Sequence, residues 1–139
     1  MALKFAALVT IALYATAFAQ TTKSVWAGVY TTEQSTRGAD LYTRVCSECH
    51  GDDLDGREKS PALAGGSFTQ RWEGATLKKL FERMQEMPPA DPAKRLKPDE
   101  YADVLAFVLS ANDVPAGSQR LVSDKDVLAA IVYAGRPKS

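Results

Sequence analysis

The chain has 139 residues, with 17 Lys plus Arg balanced by 17 Asp plus Glu. That balance argues against nucleic acid as a partner, and the length fits one domain able to bury a core of its own. Two cysteines and one histidine exclude a disulfide-rich scaffold.

The chain opens MALKFAALVTIALYATAFA: one positive charge at Lys4, an apolar run from Phe5, and Ala17-Phe18-Ala19 as a small-residue cleavage signature. This predicts a secretory signal peptide over residues 1–19, and residues 20–139 as a single domain. The apolar run is short for a membrane span and is diluted by Thr10, Tyr14 and Thr16, so an uncleaved anchor is the weaker alternative. No stable span is expected once the leader is removed, and the predicted location is the periplasm. Because the leader takes only Lys4 from the charged set, the mature chain carries a net charge of about −1.

Three main helices joined by long polar loops are predicted. The first starts at Thr31-Thr32-Glu33-Gln34, where Thr31 and Gln34 have capping-box spacing, and runs to the cysteines. Residues 51–70 are rich in Gly, Pro and Asp and are predicted to be loop. A second helix begins near Thr76. Its stripe of Leu77, Leu80, Phe81 and Met84 has the spacing of one buried face, which makes Met84 a core residue. It stops near Met87, because Pro88 and Pro89 follow. Pro98 suits the first position of the third helix, Asp99 and Glu100 favour its positive end, and Tyr101, Val104, Leu105, Val108 and Leu109 form its apolar stripe. A short helix is predicted near Val127 to Val132. No strand pattern is evident, so the predicted class is all-α.

Both cysteines and the only histidine fall within Cys46-Ser47-Glu48-Cys49-His50. Chance would place them so in about one arrangement in ten thousand, and the spacing C-x-x-C-H is the attachment signature of c-type haem. Thiols one helical turn apart can each add to a porphyrin vinyl group, and the adjoining histidine then lies beneath the iron. A disulfide between the two would close too small a loop to stabilise the fold. Two alternatives remain open. A thioredoxin-like redox pair would need a dithiol opening a helix in a βαβ setting, and a zinc site would need a carboxylate to complete four ligands.

The motif and its surroundings resemble the class I c-type cytochromes. Gly38 and Tyr42 precede Cys46 as that family's helix-crossing glycine and aromatic do, with Val104 and Phe107 as their partners on the last helix. Pro61, Leu63 and Gly65 match its Pro-x-Leu-x-Gly pattern. The stretches VWAGVYTTEQ, FTQRWEGATLKKLFERM and DEYADVLAFVLSANDVPAG are similar to small monohaem cytochromes that accompany, or are fused to, quinone-cofactor dehydrogenases. The resemblance implies a cytochrome c-like fold around one haem c, attached through two thioethers to Cys46 and Cys49, with a C-terminal extension beyond it. It further implies that His50 ligates the iron, that the Pro61 carbonyl orients His50, that Leu63 borders the haem, and that Trp72, with Arg71 beside it, stands where propionate donors are found. At the last helix, Lys97 occupies a position where Ser or Thr would be the more usual cap.

Met84 and Met87 are the candidates for the sixth ligand. Met87 precedes a proline and so leaves helical geometry, and the resemblance agrees, since the family's axial methionine is commonly followed by proline. With His and Met both bound, no iron site is open to oxygen or peroxide, which predicts a one-electron carrier rather than an enzyme. The implied partners are redox proteins: a quinone-cofactor dehydrogenase as donor, and a terminal oxidase or another cytochrome as acceptor. A five-coordinate haem catalyst and a subunit permanently bound to one dehydrogenase are the competing readings. The acidic run Asp52, Asp53 and Asp55 and the basic run Lys94, Arg95 and Lys97 read as solvated loop charges.

Overall fold

The computed structural model describes residues 21–87, 89 and 91–138. The predicted leader therefore lies outside the described residues, as does Pro88. The chain forms a two-residue strand β1 (Lys23–Ser24), α1 (Thr32–Val45), a single turn α2 (Ser47–His50), α3 (Gly66–Trp72), α4 (Leu77–Glu86), α5 (Pro98–Ala111), α6 (Lys125–Ala129) and a two-residue strand β2 (Ile131–Val132). The class is all-α, as predicted. Among the described residues, no helix is long and apolar enough to cross a membrane.

Local chemistry explains where the three longest helices begin and end. Thr31 caps α1, its hydroxyl accepting from the Gln34 N–H at 3.2 Å. Thr76 caps α4, which ends with Met87 in an extended conformation. Pro98 opens α5, and the Lys97 N–H donates to the Glu100 carboxylate at 2.7 Å. That bond satisfies a donor the lysine side chain has no means to help, so the absence of a Ser or Thr is tolerated. The capping box expected at α1 is only half formed. Gln34 is fully buried, and its amide instead exchanges two 2.8 Å hydrogen bonds with the backbone of Leu121.

At the centre lies α5, with Ala102, Val104, Leu105, Ala106, Val108 and Leu109 all buried. Its broadest contact is with α1, and Gly38 is what lets the two helices cross. A Cβ at Gly38 would overlap the Asp103 carbonyl oxygen and press on the Phe107 Cβ. The glycine's closest approach is thus to the Asp103 backbone and to Phe107. Tyr42 does meet Phe107, with ring centroids 5.2 Å apart. Gly38→Ala should gain about 1 kcal/mol in helix propensity yet destabilise the protein by about 2 kcal/mol net, because a helix carbonyl cannot step aside as a flexible side chain would. Urea unfolding of the variant checks this, and a stabilised variant would refute the crossing.

Two expectations are corrected. Residues 66–70 are not loop but the first part of α3, whose one buried residue is Phe68. A single apolar position leaves no period to read. The tail holds strand as well as helix: β2 pairs in parallel with β1, Lys23 opposite Ile131 and Ser24 opposite Val132. The short helix lies at Lys125–Ala129, ahead of the predicted span, because Asp124 caps it by accepting from the N–H groups of Asp126 and Val127.

Candidate functional site

The Cys-Cys-His motif sits where α1 breaks. Cys46 is the last residue of the α1 hydrogen-bond ladder, its N–H donating to the Tyr42 carbonyl at 2.8 Å, and its own carbonyl accepts from Cys49 and His50 at 3.2 and 3.0 Å. The two cysteines therefore stand one turn apart, and both thiols are free. Burial, with a smaller contribution from Cys49, pushes the Cys46 thiol up to about 11. A reactive redox cysteine has the opposite shift. Among the described residues, no group of three or more His, Cys, Asp or Glu side chains converges as metal ligands, which tells against zinc.

After His50 the chain reverses sharply. Gly51 has φ of +81°, and a Cβ there would collide with the Asp55 carboxylate, so the turn requires glycine. Tyr42 stitches this turn to α1, its buried hydroxyl donating to the Gly51 carbonyl at 2.6 Å; burial, then the nearby Cys46, Asp52 and Asp55, raises its pKa. The loop returns through bonds from the Gly56 N–H to the His50 carbonyl and from the Leu63 N–H to the Leu54 carbonyl, each 2.8 Å. This closure brings the Pro61 carbonyl oxygen 2.8 Å from His50 Nδ1. A carbonyl can only accept, so Nδ1 is the donor, and of the two neutral tautomers this selects the one whose Nε2 keeps the lone pair a metal requires.

Asn112, at the end of α5, anchors the far side of the same loop. Its amide nitrogen donates to the Leu63 carbonyl at 2.9 Å, and its amide oxygen accepts from the Gly65 N–H at 3.1 Å. Sequence reasoning missed both Asn112 and the hydroxyl contact of Tyr42. An asparagine just past a helix end reads as an ordinary cap, and nothing in its spacing points 47 residues back to Gly65.

Cys46, His50, Pro61, Leu63, Trp72 and Met87 line one largely apolar cleft. Cys49 is exposed and borders an adjoining opening that shares Cys46, His50 and Met87. α5 contributes Tyr101, Val104 and Val108 to the cleft, α3 contributes Phe68, and α4 contributes Leu80 and Met84. Met84 packs against the hydrophobic core, as its stripe predicted, but is half-buried and also lines this space. Lys59, Arg71 and Arg83 stand at the cleft wall. Asp52, Asp53, Asp55, Lys94, Arg95 and Lys97 are all exposed.

These residues suit a haem. An apolar slot fits the macrocycle, three cations suit its propionates, and an imidazole, a thiol and two methionine sulfurs line the space, with the second thiol at the adjoining opening. Comparison with known proteins points the same way. Residues 33–108 match the family described as cytochrome c oxidase, cbb3-type, subunit III. Two curated proteins named cytochrome bc1 complex cytochrome c subunit are similar, from Corynebacterium diphtheriae and Corynebacterium efficiens. Each is 29% identical over 83 residues, 58% of this chain but only 28% and 27% of the respective relative. The chain thus spans about a quarter of the length of the curated relatives it matches. No solved structure matches it. With more than half of its residues covered by the family match, and with a cleft built for the group that family carries, the chain belongs to the cbb3-type subunit III family of cytochromes and is a haem-binding c-type cytochrome domain.

Proposed function

We propose that the protein is an exported one-electron carrier in which Cys46 and Cys49 would hold a single haem through thioethers and His50 and Met87 would ligate its iron. The observation that carries this reading is the 2.8 Å contact from His50 Nδ1 to the Pro61 carbonyl at one wall of a cleft that methionines also line. Bound there, haem supplies a ferric/ferrous couple that moves one electron. The protein's part is to hold that couple. Pro61 fixes the tautomer and ring plane of His50 and raises its basicity, while Leu63, Leu80, Val104 and Val108 line the cleft with apolar surface that excludes water. Trp72 and Arg71 line the cleft and would serve as donors to the propionates. General acid–base chemistry is disfavoured, because the only histidine is committed to the iron.

Export is supported by the leader Met1–Ala19, which makes the periplasm the site of action. A dehydrogenase, of the quinone-cofactor class by the resemblance of the sequence, is the proposed donor, and a respiratory oxidase or another cytochrome the proposed acceptor. A second reading is favoured by the names of the relatives: this domain is a bound subunit of a respiratory complex rather than a free carrier. Size-exclusion of native extract separates the two, since a carrier elutes near its own mass.

Voltammetry tests the proposal itself. A single reversible one-electron wave is expected, and a protein that shows catalytic turnover of peroxide instead would refute it. Pro61→Ala releases the stiff backbone that aims the carbonyl. It should raise imidazole exchange at the iron by about tenfold and shift the potential, the range expected when a supporting contact at a metal site is lost. An unchanged exchange rate and potential would remove Pro61 from the site.

A further inference from the structure

The C-terminal tail lies beyond the residues matched by the family, which end at 108, yet it is firmly built into the protein. Leu121, Leu128, Ile131 and Tyr133 are buried. Its first part packs on the N-terminal segment: Gly117 sits in backbone contact with Gly28, the Tyr30 hydroxyl donates to the Val114 carbonyl, and Gln34 holds Leu121. Its last part pairs with the N-terminal segment as well, β2 on β1, with the Trp26 indole N–H donating to the Ala134 carbonyl at 2.9 Å, and reaches further. It crosses to the corner between α3 and α4, the two helices that supply one wall of the haem cleft.

Tyr133 makes that crossing. Its N–H donates to the Ala75 carbonyl and its carbonyl accepts from the Gly74 N–H, both at 2.8 Å. Its hydroxyl lies 3.3 Å from the Thr69 hydroxyl on α3. The buried ring stands edge-on to Phe68, with centroids 5.7 Å apart and planes at 87°, and Phe68 itself lines the cleft. One residue earlier, Val132 bridges to Thr76, the cap of α4. Further along α4, Lys125 of the tail pairs with Glu82 at 3.2 Å, and α6 packs against the same helix. The start of α4, and hence the direction in which it carries Met84 and Met87, is thus fixed by the tail.

We infer that Tyr133 is a positioning residue for the sulfur ligand: the tail clamps the α3–α4 corner so that α4 presents its methionine to the iron. The inference rests on the proposed His/Met ligation. A packed corner has discrete arrangements rather than a continuous range, so loosening it lets α4 settle with the thioether off the metal. His50 and the cysteines belong to other elements and are left in place.

Cyanide binding to the ferric holoprotein reads the position of the sulfur directly. Tyr133→Ala removes the ring that backs Phe68, and Tyr133→Leu keeps more of the volume should the alanine variant fail to mature. Either should raise cyanide affinity by about tenfold, the lower end of what a lost support costs at a metal site. Both should weaken the sulfur-to-iron charge-transfer band and speed amide exchange in α4. Tyr133→Phe keeps the ring and the backbone bonds and should restore wild-type values to within about twofold. Leu121→Ala is the control: equally buried in the tail but seated on Gln34, it should lower thermal stability without moving cyanide affinity. If the wild type shows the band and the Tyr133 variants bind cyanide as it does, or if Leu121→Ala matches them, the positioning role is overturned and the ligation stands. A wild type without the band overturns the ligation, and this inference with it.

Discussion

Replacing Cys46 and Cys49 together by serine is expected to leave a polypeptide that loses its haem to acidic acetone, whereas the wild type, made alongside haem-maturation machinery, keeps its colour and exceeds its polypeptide mass by one haem. The thioethers are the only covalent tie such a site offers, since His50 alone holds iron by a bond that acid protonates away. Stability should fall with the group. The cleft is a cavity of about 220 Å³, and at about 24 cal/mol per Å³ an empty space of that size costs up to about 5 kcal/mol, less whatever water entering the open side recovers. Small domains hold only about 5–15 kcal/mol in all, so the haem-free chain should unfold at a much lower temperature, and thermal melts of the two forms measure the gap. A wild type that matures without a mass increase, or whose cysteines close a disulfide, would refute covalent attachment.

Signals that act within one turn are legible in the amino-acid sequence. Thr31 and Thr76 cap the helices they precede, Met87 marks where α4 ends, and Pro98 opens α5, each because the deciding atoms lie within four residues of one another in sequence. The helix-crossing glycine and the proline facing His50 are legible only through a family resemblance, since their partners stand far along the chain. What the sequence hides is long-range and polar. Gln34 has the spacing of a capping box, yet a fully buried amide gains more from two backbone bonds to Leu121 than from one at its own helix end. α3 has one buried apolar residue, too few to show a period. The strands are two residues each and are held by the tail that packs them rather than by alternation. Of the cleft, the residues carrying distinctive chemistry are legible, while the supports Asn112 and Tyr133 are not, because their roles depend on where the loops return.

Met87→Ala should have the largest effect of any single change on the iron. Met87 and Met84 both line the cleft, so proximity alone does not choose between them, but their backbones do. Met84 lies inside α4, fixed in the helical ladder, while Met87 is the cap with φ −83° and ψ 104°, the extended geometry that a following proline favours. It has left the helix and borders both the main cleft and the adjoining opening beside Cys49. A side chain on extended backbone beside two prolines can swing its sulfur over the iron and lose little further entropy in staying there. Met87→Ala should abolish the sulfur-to-iron charge-transfer band, lower the potential, and raise cyanide affinity by more than the roughly hundredfold that a lost supporting contact can cost. Met84→Ala should keep the band. Because Met84 is half-buried rather than enclosed, its loss should cost about 1–2 kcal/mol in stability, less than truncation of a fully buried methionine. Spectra and cyanide titrations of the two variants give the answer: if the band survives in Met87→Ala and vanishes in Met84→Ala, the sulfur comes from within α4. If the wild type shows no band and binds carbon monoxide freely, the iron is five-coordinate and an electron carrier is the wrong description of the protein.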